Sequence, residues 1–393
     1  MRGAVRIAVV GGSVGGLTAA LLLRELGHDV TVYERSGAEL EQRGAGIGFL
    51  PASHRYLTER ARIDLDSVSV STAFIRYLDR HGAIVHEQAQ PYRFSSWNTV
   101  YRSLLHCFGP DRYLLGRECV AVEQTGEAVH VHFAGGEQVE CDLLVCADGI
   151  GSRARSRLLP DVGPVYAGYV AWRGLVPEAE LGVGADAFTD AITYHVYANS
   201  HILVYPIPGL DGSLEPGRRL VNFVWYRNYL EGGDLDDLMT DSGGVRHEVS
   251  MPPGRPRLEH QEEMRATAAA RLPPAIAAAV QAVDKPFVQV ILDIEVPRMA
   301  FGRVCLLGDA AFAVRPHAAA GTAKAAADAW ALAEALEREP DIESLLRAWE
   351  PGQLELGRSL LERTRRIGRR SQVDCNWTPG DPELIFGLYG PGH

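Results

Sequence analysis

Glycines and an acidic residue near the start of the chain have the spacing of a dinucleotide-binding site. Gly11, Ser13 and Gly16 lie in the segment GGSVGG after the apolar run IAVV, and Glu34 follows a second apolar run, 23 residues after Gly11. Such a turn directs the N–H groups of a helix N-terminus at a pyrophosphate. The Glu34 carboxylate can accept hydrogen bonds from ribose hydroxyls and repels a 2′-phosphate. We therefore predict that these residues and the adjacent Arg35 bind a nucleotide cofactor.

Two more acidic residues follow apolar runs later in the chain. Asp148 and Gly149 come after LLVCA, and Asp309 comes after VCLLG. Ligands of open α/β sheets bind at the carboxyl ends of strands, so both acids are predicted to lie near the nucleotide. An Asp-Gly pair is also a common turn, and for Asp148 that alternative stays open. Pro316 begins a predicted Ala-rich helix, whose start would bring the Gly321 amide and the helix dipole to the cofactor.

The elements that must position these residues form two kinds of sheet. Runs typical of buried parallel strands occur at residues 7–10, 30–33, 143–146 and 304–307. A hairpin is predicted over 129–141. Later runs alternate aromatic and polar residues, which favours a mostly antiparallel sheet that can cover a flat ligand. We predict an α/β fold with a Rossmann-like nucleotide-binding domain (1–165 and 297–340), a substrate domain (166–296), and a C-terminal helix and tail (341–393).

Composition and net charge limit the classes of function that the chain can have. The chain has 393 residues, 46% of them hydrophobic and 23% charged, and a net charge of −11. A nucleic-acid surface would need clustered Lys and Arg on one face, so we predict no nucleic-acid partner. The Arg-rich stretch at 358–370 is predicted to be a solvated helix face rather than an anion site. The Pro- and Gly-rich segment 376–393 is expected to cover the surface without chemistry.

Targeting and redox signals are weak. No apolar run reaches the ~18 residues of a membrane span, and the first apolar run belongs to the nucleotide strand rather than to a secretory signal. The six cysteines form no C-x-x-C pair. We therefore predict a cytoplasmic protein with reduced thiols, no membrane partner and no metal site. A monomer and a homodimer are equally compatible with the sequence.

Three segments together resemble the fingerprints of a known enzyme family. GGSVGG with its later Glu34, CADGIGSRARSRL from Cys146, and LLGDAAFAVRPHAAAGTAKAAADA from Leu306 occur in the family's order and at fitting distances. Over nearly its whole length the chain resembles the FAD-dependent single-component aromatic hydroxylases, which share the fold of para-hydroxybenzoate hydroxylase. The expected fold is thus a Rossmann-like FAD-binding domain with a mostly antiparallel substrate-domain sheet and C-terminal helices.

The resemblance also implies roles for individual residues. Gly11, Gly16 and Glu34 would contact the ADP half of FAD, and Asp309 would bind the ribityl chain. By the same resemblance, Asp148 and Gly149 would lie along the cofactor and the reductant's approach, and Pro316 and Gly321 would lie beside the flavin.

Departures from the family pattern narrow these expectations. Phe312 replaces the usual histidine after Gly-Asp-Ala-Ala, and AAGTA at 319–323 replaces G-Q-G-x-N, so that backbone contacts to the flavin remain there. The family's flavin-contacting arginine corresponds either to Tyr101 or, displaced by one, to Arg102; the apolar spacing favours Tyr101. This combination, with PHAAAG and the strand HILVYPIPG, resembles the 2,6-dihydroxypyridine 3-hydroxylase branch of the family.

The reaction implied by the resemblance is a hydroxylation. NADH or NADPH would visit transiently and reduce FAD. Dioxygen would then add at the flavin 4a carbon, and the resulting hydroperoxide would hydroxylate an electron-rich aromatic or N-heteroaromatic ring. In this family substrate binding commonly accelerates flavin reduction by moving the flavin, and Gly44, Gly46 and Gly48 are expected beside it.

A base that removes the substrate's hydroxyl proton would raise the electron density of the ring. The candidates on the roofing sheet are His201, Tyr205 and Tyr226. Histidine titrates near neutrality, which favours His201 as the base, although a structural histidine is the alternative. The tyrosines can orient a substrate hydroxyl. Arg173 is a candidate for an anionic substrate group or for a tie between sheets, and His317 is a further candidate.

Two other classes of function stay open at this stage. One is an FAD-dependent oxidase, dehydrogenase or epoxidase, which incorporation of labelled dioxygen into an aromatic product would separate from a hydroxylase. The other is a non-catalytic flavoprotein, which reduction by a nicotinamide would exclude. The acids and glycines at all three strand ends are present together, which favours catalysis.

Overall fold

The computed structural model describes residues 4–40, 45–339 and 341–393, so Gly44 lies outside the described residues. The strands, in chain order, are β1 Arg6–Val10, β2 Asp29–Tyr33, β3 Gly46–Gly48, β4 Val70–Leu78, β5 Ile84–Ser96, β6 Tyr113–Leu114, β7 Cys119–Gln124, β8 Val129–Phe133, β9 Gln138–Cys141, β10 Leu143–Cys146, β11 Val165–Pro177, β12 Ala191–Tyr197, β13 Ser200–Ile207, β14 Leu220–Asn228, β15 Ser250–Met251, β16 Phe287–Asp293, β17 Ala300–Phe301 and β18 Val304–Leu306. The α-helices are α1 Val14–Glu25, α2 Pro51–Glu59, α3 Trp97–Phe108, α4 Arg153–Leu158, α5 Gly233–Leu238, α6 Leu258–Arg271, α7 Pro274–Ala282, α8 Gly321–Arg338 and α9 Ile342–Gln372. Short 3₁₀ segments lie at Leu65–Ser67, Glu178–Ala187, Gly308–Ala310, Pro316–Ala318 and Pro382–Leu384.

The first sheet confirms the predicted Rossmann-like unit. Its strand order is β17-β18-β10-β1-β2-β6, and β1 pairs in parallel with β2 and β10, as β10 does with β18. The apolar runs form these strands because helices cover the sheet: α1 and α8 pack against each other over a fully buried core that includes Val9, Leu17 and Leu332. Parallel pairing brings the carboxyl ends of β1, β2, β10 and β18 to one edge.

The second sheet is larger than the sequence indicates. Its order is β15-β16-β11-β14-β13-β12-β4-β5-β3, antiparallel except where β12 pairs with β4. The prediction assigned the whole of residues 1–165 to the nucleotide-binding unit, yet β3, β4 and β5 belong to this sheet. The physical reason is the long-range parallel pairing of Ile192 with Ile75, which no local pattern shows. The domain limits themselves stay a proposal.

Each face of this sheet packs differently. One face buries Trp172 and Trp225 against α6 and α7 through Met264 and Ile276. The opposite face carries an aromatic layer that includes Phe94, Tyr205 and Tyr226. The predicted hairpin is confirmed as β8 and β9, which form a separate three-stranded sheet with β7. No helix in the described ranges is long and apolar enough to cross a membrane.

The C-terminal helix differs from its prediction. The Arg-rich stretch on α9 is not simply solvated, because Arg363 is buried and Arg365 pairs with Asp293 at 3.0 Å. Arg370 pairs with Asp381 in the segment that follows the helix. The stretch therefore attaches α9 to the second sheet and to the end of the chain.

Candidate active site

Two cavities of about 300 and 210 Å³ meet where the carboxyl ends of the parallel strands face the second sheet. Ser13, Trp97, Ala147 and Gly149 line both of them, so the cavities form one continuous groove. The smaller cavity contains Gly11, Glu34, Arg35 and Asp148. The larger one extends to the roof formed by the second sheet. This elongated shape, polar at one end and aromatic at the other, matches a dinucleotide that carries a flat ring.

The nucleotide end of the groove has the predicted glycine geometry. Gly11 has φ +102°, and a Cβ on it would lie 2.2 Å from the carbonyl oxygen of Ala147. A Cβ on Gly16 would lie 1.9 Å from the carbonyl oxygen of Gly11. The turn is therefore closed by backbone contacts that only glycine permits. Ser13 is the N-cap of α1 and lines the groove, and its hydroxyl makes no cap hydrogen bond, so it is available to a phosphate.

Glu34 is held at the end of β2 as the sequence predicts. Its Oε2 accepts a hydrogen bond from the Gly12 N–H at 2.9 Å, and its Oε1 accepts one from the Ser36 N–H at 2.9 Å. These bonds fix a buried carboxylate at the wall of the smaller cavity, next to Arg35. A carboxylate has more acceptor positions than these two bonds use, so ribose hydroxyls can bind it. The glycine turn and this acid fit the adenosine half of FAD.

Asp148 lies at the nucleotide end rather than under the roof. Its Oδ2 accepts a hydrogen bond from the Arg153 N–H at 2.9 Å, while its buried Oδ1 has no partner in the described part of the chain. Burial raises the pKa of this carboxyl. Gly149 follows with φ +78° and lines both cavities. Asp148 and Gly149 therefore form part of the wall at the nucleotide end of the groove.

Asp309 lines the larger cavity, and its charged neighbours form a buried cluster on α8. The Lys324 ammonium donates to Asp328 at 2.7 Å, and Asp328 also accepts from the Gly308 N–H at 2.9 Å. Burial raises the pKa of Asp309, and the Lys324 charge partly offsets this. The cluster fixes the Gly-Asp turn after β18, with Asp309 available to a ligand hydroxyl such as those of a ribityl chain. Lys324 and Asp328 were not singled out in the sequence.

The N-terminus of α8 points at the larger cavity, but it starts later than predicted. Pro316 begins a 3₁₀ turn, Pro316–Ala318, and the α-helix begins at Gly321. Between them Ala319 adopts the left-handed conformation, with φ +53°. Pro316, Ala319 and Gly321 line the cavity, so the free amides and positive dipole end of α8 face a bound ring, which stabilises negative charge there.

Tyr101 does not contact the groove, contrary to the sequence prediction. It is fully buried on α3, where its hydroxyl accepts from the Leu40 N–H at 3.1 Å and lies 3.2 Å from the Tyr113 hydroxyl. Arg102 is exposed. Trp97, one turn earlier on α3, lines both cavities and stacks on Tyr101 with centroids 5.0 Å apart. Tyr101 therefore supports the residue that forms the wall.

The roof presents a cation without a carboxylate partner. The Arg173 guanidinium donates to Gln289 Oε1 and to the Gly46 carbonyl, both at 3.0 Å. Its Nε is buried without a partner, and no acidic side chain among the described residues pairs with it. Tyr205 also donates to the Gly46 carbonyl, at 2.9 Å, and burial raises the pKa of its hydroxyl. Asn222 Oδ1 accepts from the Gly46 N–H at 3.1 Å, so the roof fixes β3.

Tyr226 and His201 are neighbours, but only Tyr226 lines the cavity. Their rings stack with centroids 4.5 Å apart, and His317 lies 4.7 Å from Tyr226. Burial lowers the pKa of His201 to about 3 and raises that of Tyr226. His317 Nε2 lies 2.7 Å from the Tyr169 hydroxyl, and its pKa is lowered by burial. His201, favoured as the base from the sequence, is thus a buried residue on the same face of the second sheet as Tyr205, but it does not line the cavity.

The buried histidines make stability depend on pH. An unfolded histidine has a pKa of about 6.5, so as the pH falls below that value the unfolded state binds protons that the folded state does not. The free energy of unfolding should therefore fall by about 1.4 kcal/mol per pH unit for each such histidine between pH 5.5 and 4. Denaturant unfolding of the FAD-saturated protein across this range measures the slope.

The expected outcome separates His201 from the carboxylates that also titrate. His201→Phe keeps a ring in the stack and should reduce the slope by about one proton, that is about 1.4 kcal/mol per pH unit. Leu210→Phe, at an exposed position without a titratable group, should leave the slope as in the wild type. An unchanged slope in His201→Phe would contradict a depressed pKa for this residue.

Comparison with known proteins agrees with this site. Residues 242–363 match the family described as FAD binding domain, 166–293 match FAD binding domain-like, and 9–38 match the NAD(P)-binding Rossmann-like domain. The chain is 40% identical over 390 residues to 2,6-dihydroxypyridine 3-monooxygenase of Paenarthrobacter nicotinovorans, covering 98% of this chain and 96% of that protein. It is 30% identical over 401 residues to 6-hydroxynicotinate 3-monooxygenase of Pseudomonas fluorescens, covering 97% and 94%.

A solved structure shows the same fold over the full length. The structure of 2,6-dihydroxypyridine-3-hydroxylase from Arthrobacter nicotinovorans superimposes with a TM-score of 0.94 at 38% identity, covering 100% of this chain and 99% of that one. The chain is therefore an enzyme that uses FAD, NAD(P)H and dioxygen. It belongs to the FAD-dependent monooxygenases that hydroxylate aromatic and hydroxypyridine rings.

Proposed function

We propose that the substrate is a pyridine ring bearing ionisable hydroxyl groups, of the 2,6-dihydroxypyridine class, and that oxygen is inserted at position 3. Two relatives named for hydroxylated pyridines support this class. The observation that carries the proposal is the Arg173 guanidinium, which faces the cavity without a carboxylate partner among the described residues. A cation close to a bound ring hydroxyl favours the anionic form of that hydroxyl.

Arg173 removes the need for a side-chain base at the ring. A substrate that binds as its oxyanion is already electron-rich, which is the state that accepts electrophilic oxygen. Tyr205 and Tyr226 have pKa values raised by burial, so they act as hydrogen-bond donors rather than as bases. We assign Tyr226 to orienting a ring oxygen and Tyr205 to holding the Gly46 carbonyl.

The cofactor and the protein divide the reaction. When bound, FAD takes a hydride from NADH or NADPH and activates dioxygen for insertion into the ring. Gly11, Ser13, Gly16, Glu34, Arg35, Asp148, Gly149, Asp309, Pro316 and Gly321 are the residues proposed to hold it. Trp97 joins them because it lines both cavities. The aromatic roof keeps water from the ring, which protects the activated oxygen from loss as hydrogen peroxide.

The test is turnover of a substrate panel under labelled dioxygen. FAD-loaded protein is given NADH or NADPH with 2,6-dihydroxypyridine, 6-hydroxynicotinate or salicylate. We expect the dihydroxypyridine to accelerate flavin reduction and to yield a product with one added oxygen atom derived from dioxygen. A product oxygen derived from water, or oxidation without added oxygen, would contradict the proposed function. Turnover of salicylate alone would contradict the pyridine class.

We propose that the enzyme works in the cytoplasm as a monomer or homodimer. The support is its thiols: all the cysteines are free, and Cys141, Cys146 and Cys305 are buried with pKa values raised by burial. Light scattering of the FAD-loaded protein would give its mass.

A further inference from the structure

The segment after α9, residues 376–393, lies against the active site. The sequence predicted a surface cover without chemistry for this segment, which we call the tail. Phe386, in the tail, lines the larger cavity together with Tyr205 and Tyr226, and only 6% of its surface is exposed. The tail therefore contributes an apolar ring to the space that the roof and the N-terminus of α8 enclose.

Phe386 is fixed to the roof from two directions. Its ring packs on Tyr92 of β5 with centroids 4.7 Å apart, and its backbone N–H donates to the Tyr92 hydroxyl at 2.9 Å. Earlier in the tail, Trp377 donates to the Tyr77 hydroxyl at 3.3 Å and packs 4.6 Å from His201. Polar and aromatic contacts thus hold the tail in one register on the second sheet.

The tail also contacts the turn beside the flavin position. The Gly387 N–H donates to the Ala318 carbonyl at 3.2 Å, and Leu388 packs in one apolar cluster with Ala318 and Ala320. Ala318 ends the 3₁₀ turn that Pro316 begins at the cavity wall. The tail consequently bridges the substrate roof and the flavin-binding turn, the two surfaces between which a ring substrate must lie.

A buried arginine holds the tail in this position. Arg363 on α9 donates to the carbonyls of Gly387 at 2.9 Å and Glu383 at 3.0 Å, and also to that of Ile385. It is only 6% exposed, and burial lowers the pKa of its guanidinium. A buried cation that binds three backbone carbonyls of one short segment fixes the path of that segment, because leaving these groups unpaired is costly.

We propose that Phe386 is a specificity-determining residue that limits the size of the substrate ring and seals the cavity from water, and that Arg363 is its positioning residue. The inference rests on the proposed function for the ring chemistry, but the size limit applies to any ring that the enzyme accepts. A single six-membered ring is admitted, while a fused bicyclic ring meets the Phe386 side chain. Removing the Phe386 side chain enlarges the cavity by the volume of that side chain and lets water reach the substrate ring.

The test uses the FAD-loaded, full-length enzyme and compares 2,6-dihydroxypyridine with a dihydroxyquinoline. For Phe386→Ala we expect KM for the single ring to rise about 10- to 100-fold, as for removal of a central aromatic contact. A larger fraction of the NADH consumed should end as hydrogen peroxide instead of hydroxylated product. The kcat/KM for the bicyclic ring should rise relative to that for the single ring. Ligand titrations followed by the flavin absorbance give the corresponding ratio of dissociation constants without turnover.

The control variants separate a wall residue from a merely structural one. Phe386→Leu keeps much of the volume and should stay near the wild type, and Tyr389→Ala, at a 69% exposed neighbour, should change nothing. Arg363→Met should raise the ratio of kcat/KM for the bicyclic ring to kcat/KM for the single ring, as Phe386→Ala does. Arg363→Lys should bring this size ratio part of the way back to the wild-type value. A lower Tm with an unchanged size ratio and unchanged peroxide share would overturn the proposal.

Failure of the proposed function gives a different result. If the wild type rejects all hydroxypyridines but hydroxylates another ring, the same ratio is measured between that ring and its fused analogue. The proposal for Phe386 is then tested by whether Phe386→Ala raises kcat/KM for the fused ring relative to the single ring.

Discussion

Replacing Arg173 by methionine is expected to lower kcat/KM for a dihydroxypyridine by about 10²- to 10³-fold, the loss typical of one preorganised charge-stabilising donor in an active site. The guanidinium lies on β11 at the cavity, with a buried Nε that lacks a partner in the described chain. A ring oxyanion bound beside the guanidinium would supply the missing negative charge. Methionine keeps the aliphatic bulk and removes the positive charge.

The measurement is steady-state kinetics over pH 6 to 9 with matched variants. Arg227→Met, on the neighbouring strand β14, removes a guanidinium that pairs with Glu263 at 2.7 Å and does not line the cavity, so kcat/KM should stay near the wild type. In Arg173→Met the substrate must lose its proton without help from a nearby cation. Activity should therefore move toward higher pH, and Arg173→Lys should recover part of it.

Arg173 also holds the Gly46 carbonyl, so loosening of β3 is a rival cause for any loss. Tyr205→Phe removes the other side-chain hydrogen bond to that carbonyl and keeps the positive charge. If Tyr205→Phe lowers kcat/KM as much as Arg173→Met and leaves the pH profile in place, the role of Arg173 is to fix β3. We expect a loss below about tenfold for Tyr205→Phe, the value of one neutral hydrogen bond.

The parallel half of the fold, with the glycines and acids at its strand ends, was predictable from sequence because the causes are local. A local pattern identifies these features, because the apolar strand, the glycine turn after it and the acid at a strand end lie close together in the sequence. Gly11, Glu34 and Asp309 accordingly lie where their spacing indicates. The start of α8 was placed too early because the sequence shows the proline but not the left-handed conformation of Ala319.

The residues that shape the substrate cavity were harder to predict because long-range packing brings them together. Phe386 reaches the site through a tail without periodic pattern, held by Arg363, which the sequence assigned to a solvated helix face. Trp97 was missed in favour of Tyr101, since both lie on α3 and only tertiary contacts show which one faces the groove. His201 was favoured for its ordinary pKa, which burial lowers to about 3.

Gly48→Ala is the second change with a large expected effect. A Cβ at Gly48 would lie 2.5 Å from the Cβ of Ala319, whereas carbon atoms in van der Waals contact lie about 3.5–4.0 Å apart. Both residues line the larger cavity, so the overlap must push β3 and the turn before α8 apart. Overpacking of this kind costs about 1–3 kcal/mol. We expect FAD affinity to fall about 10- to 100-fold, measured by the fluorescence of released FAD.

Ala319→Gly provides a rescue that distinguishes this contact from general damage. With glycine at 319 the next nearest atoms to the new Cβ are the Ala319 Cα and carbonyl oxygen, both at 3.8 Å, which is ordinary contact. The double variant should therefore regain most of the affinity, and the double-mutant cycle should give a coupling of about 1–3 kcal/mol. Ala319→Gly alone also relieves a left-handed alanine, so its Tm should stay near the wild type.

The control for Gly48→Ala is Gly37→Ala, because a Cβ at Gly37 meets open space. It should leave both FAD affinity and Tm unchanged. If the double variant binds FAD as poorly as Gly48→Ala, the two backbones do not approach as closely as the structure shows. If the double variant regains FAD affinity, the absence of a side chain at Gly48 is what allows β3 to lie close to the turn before α8.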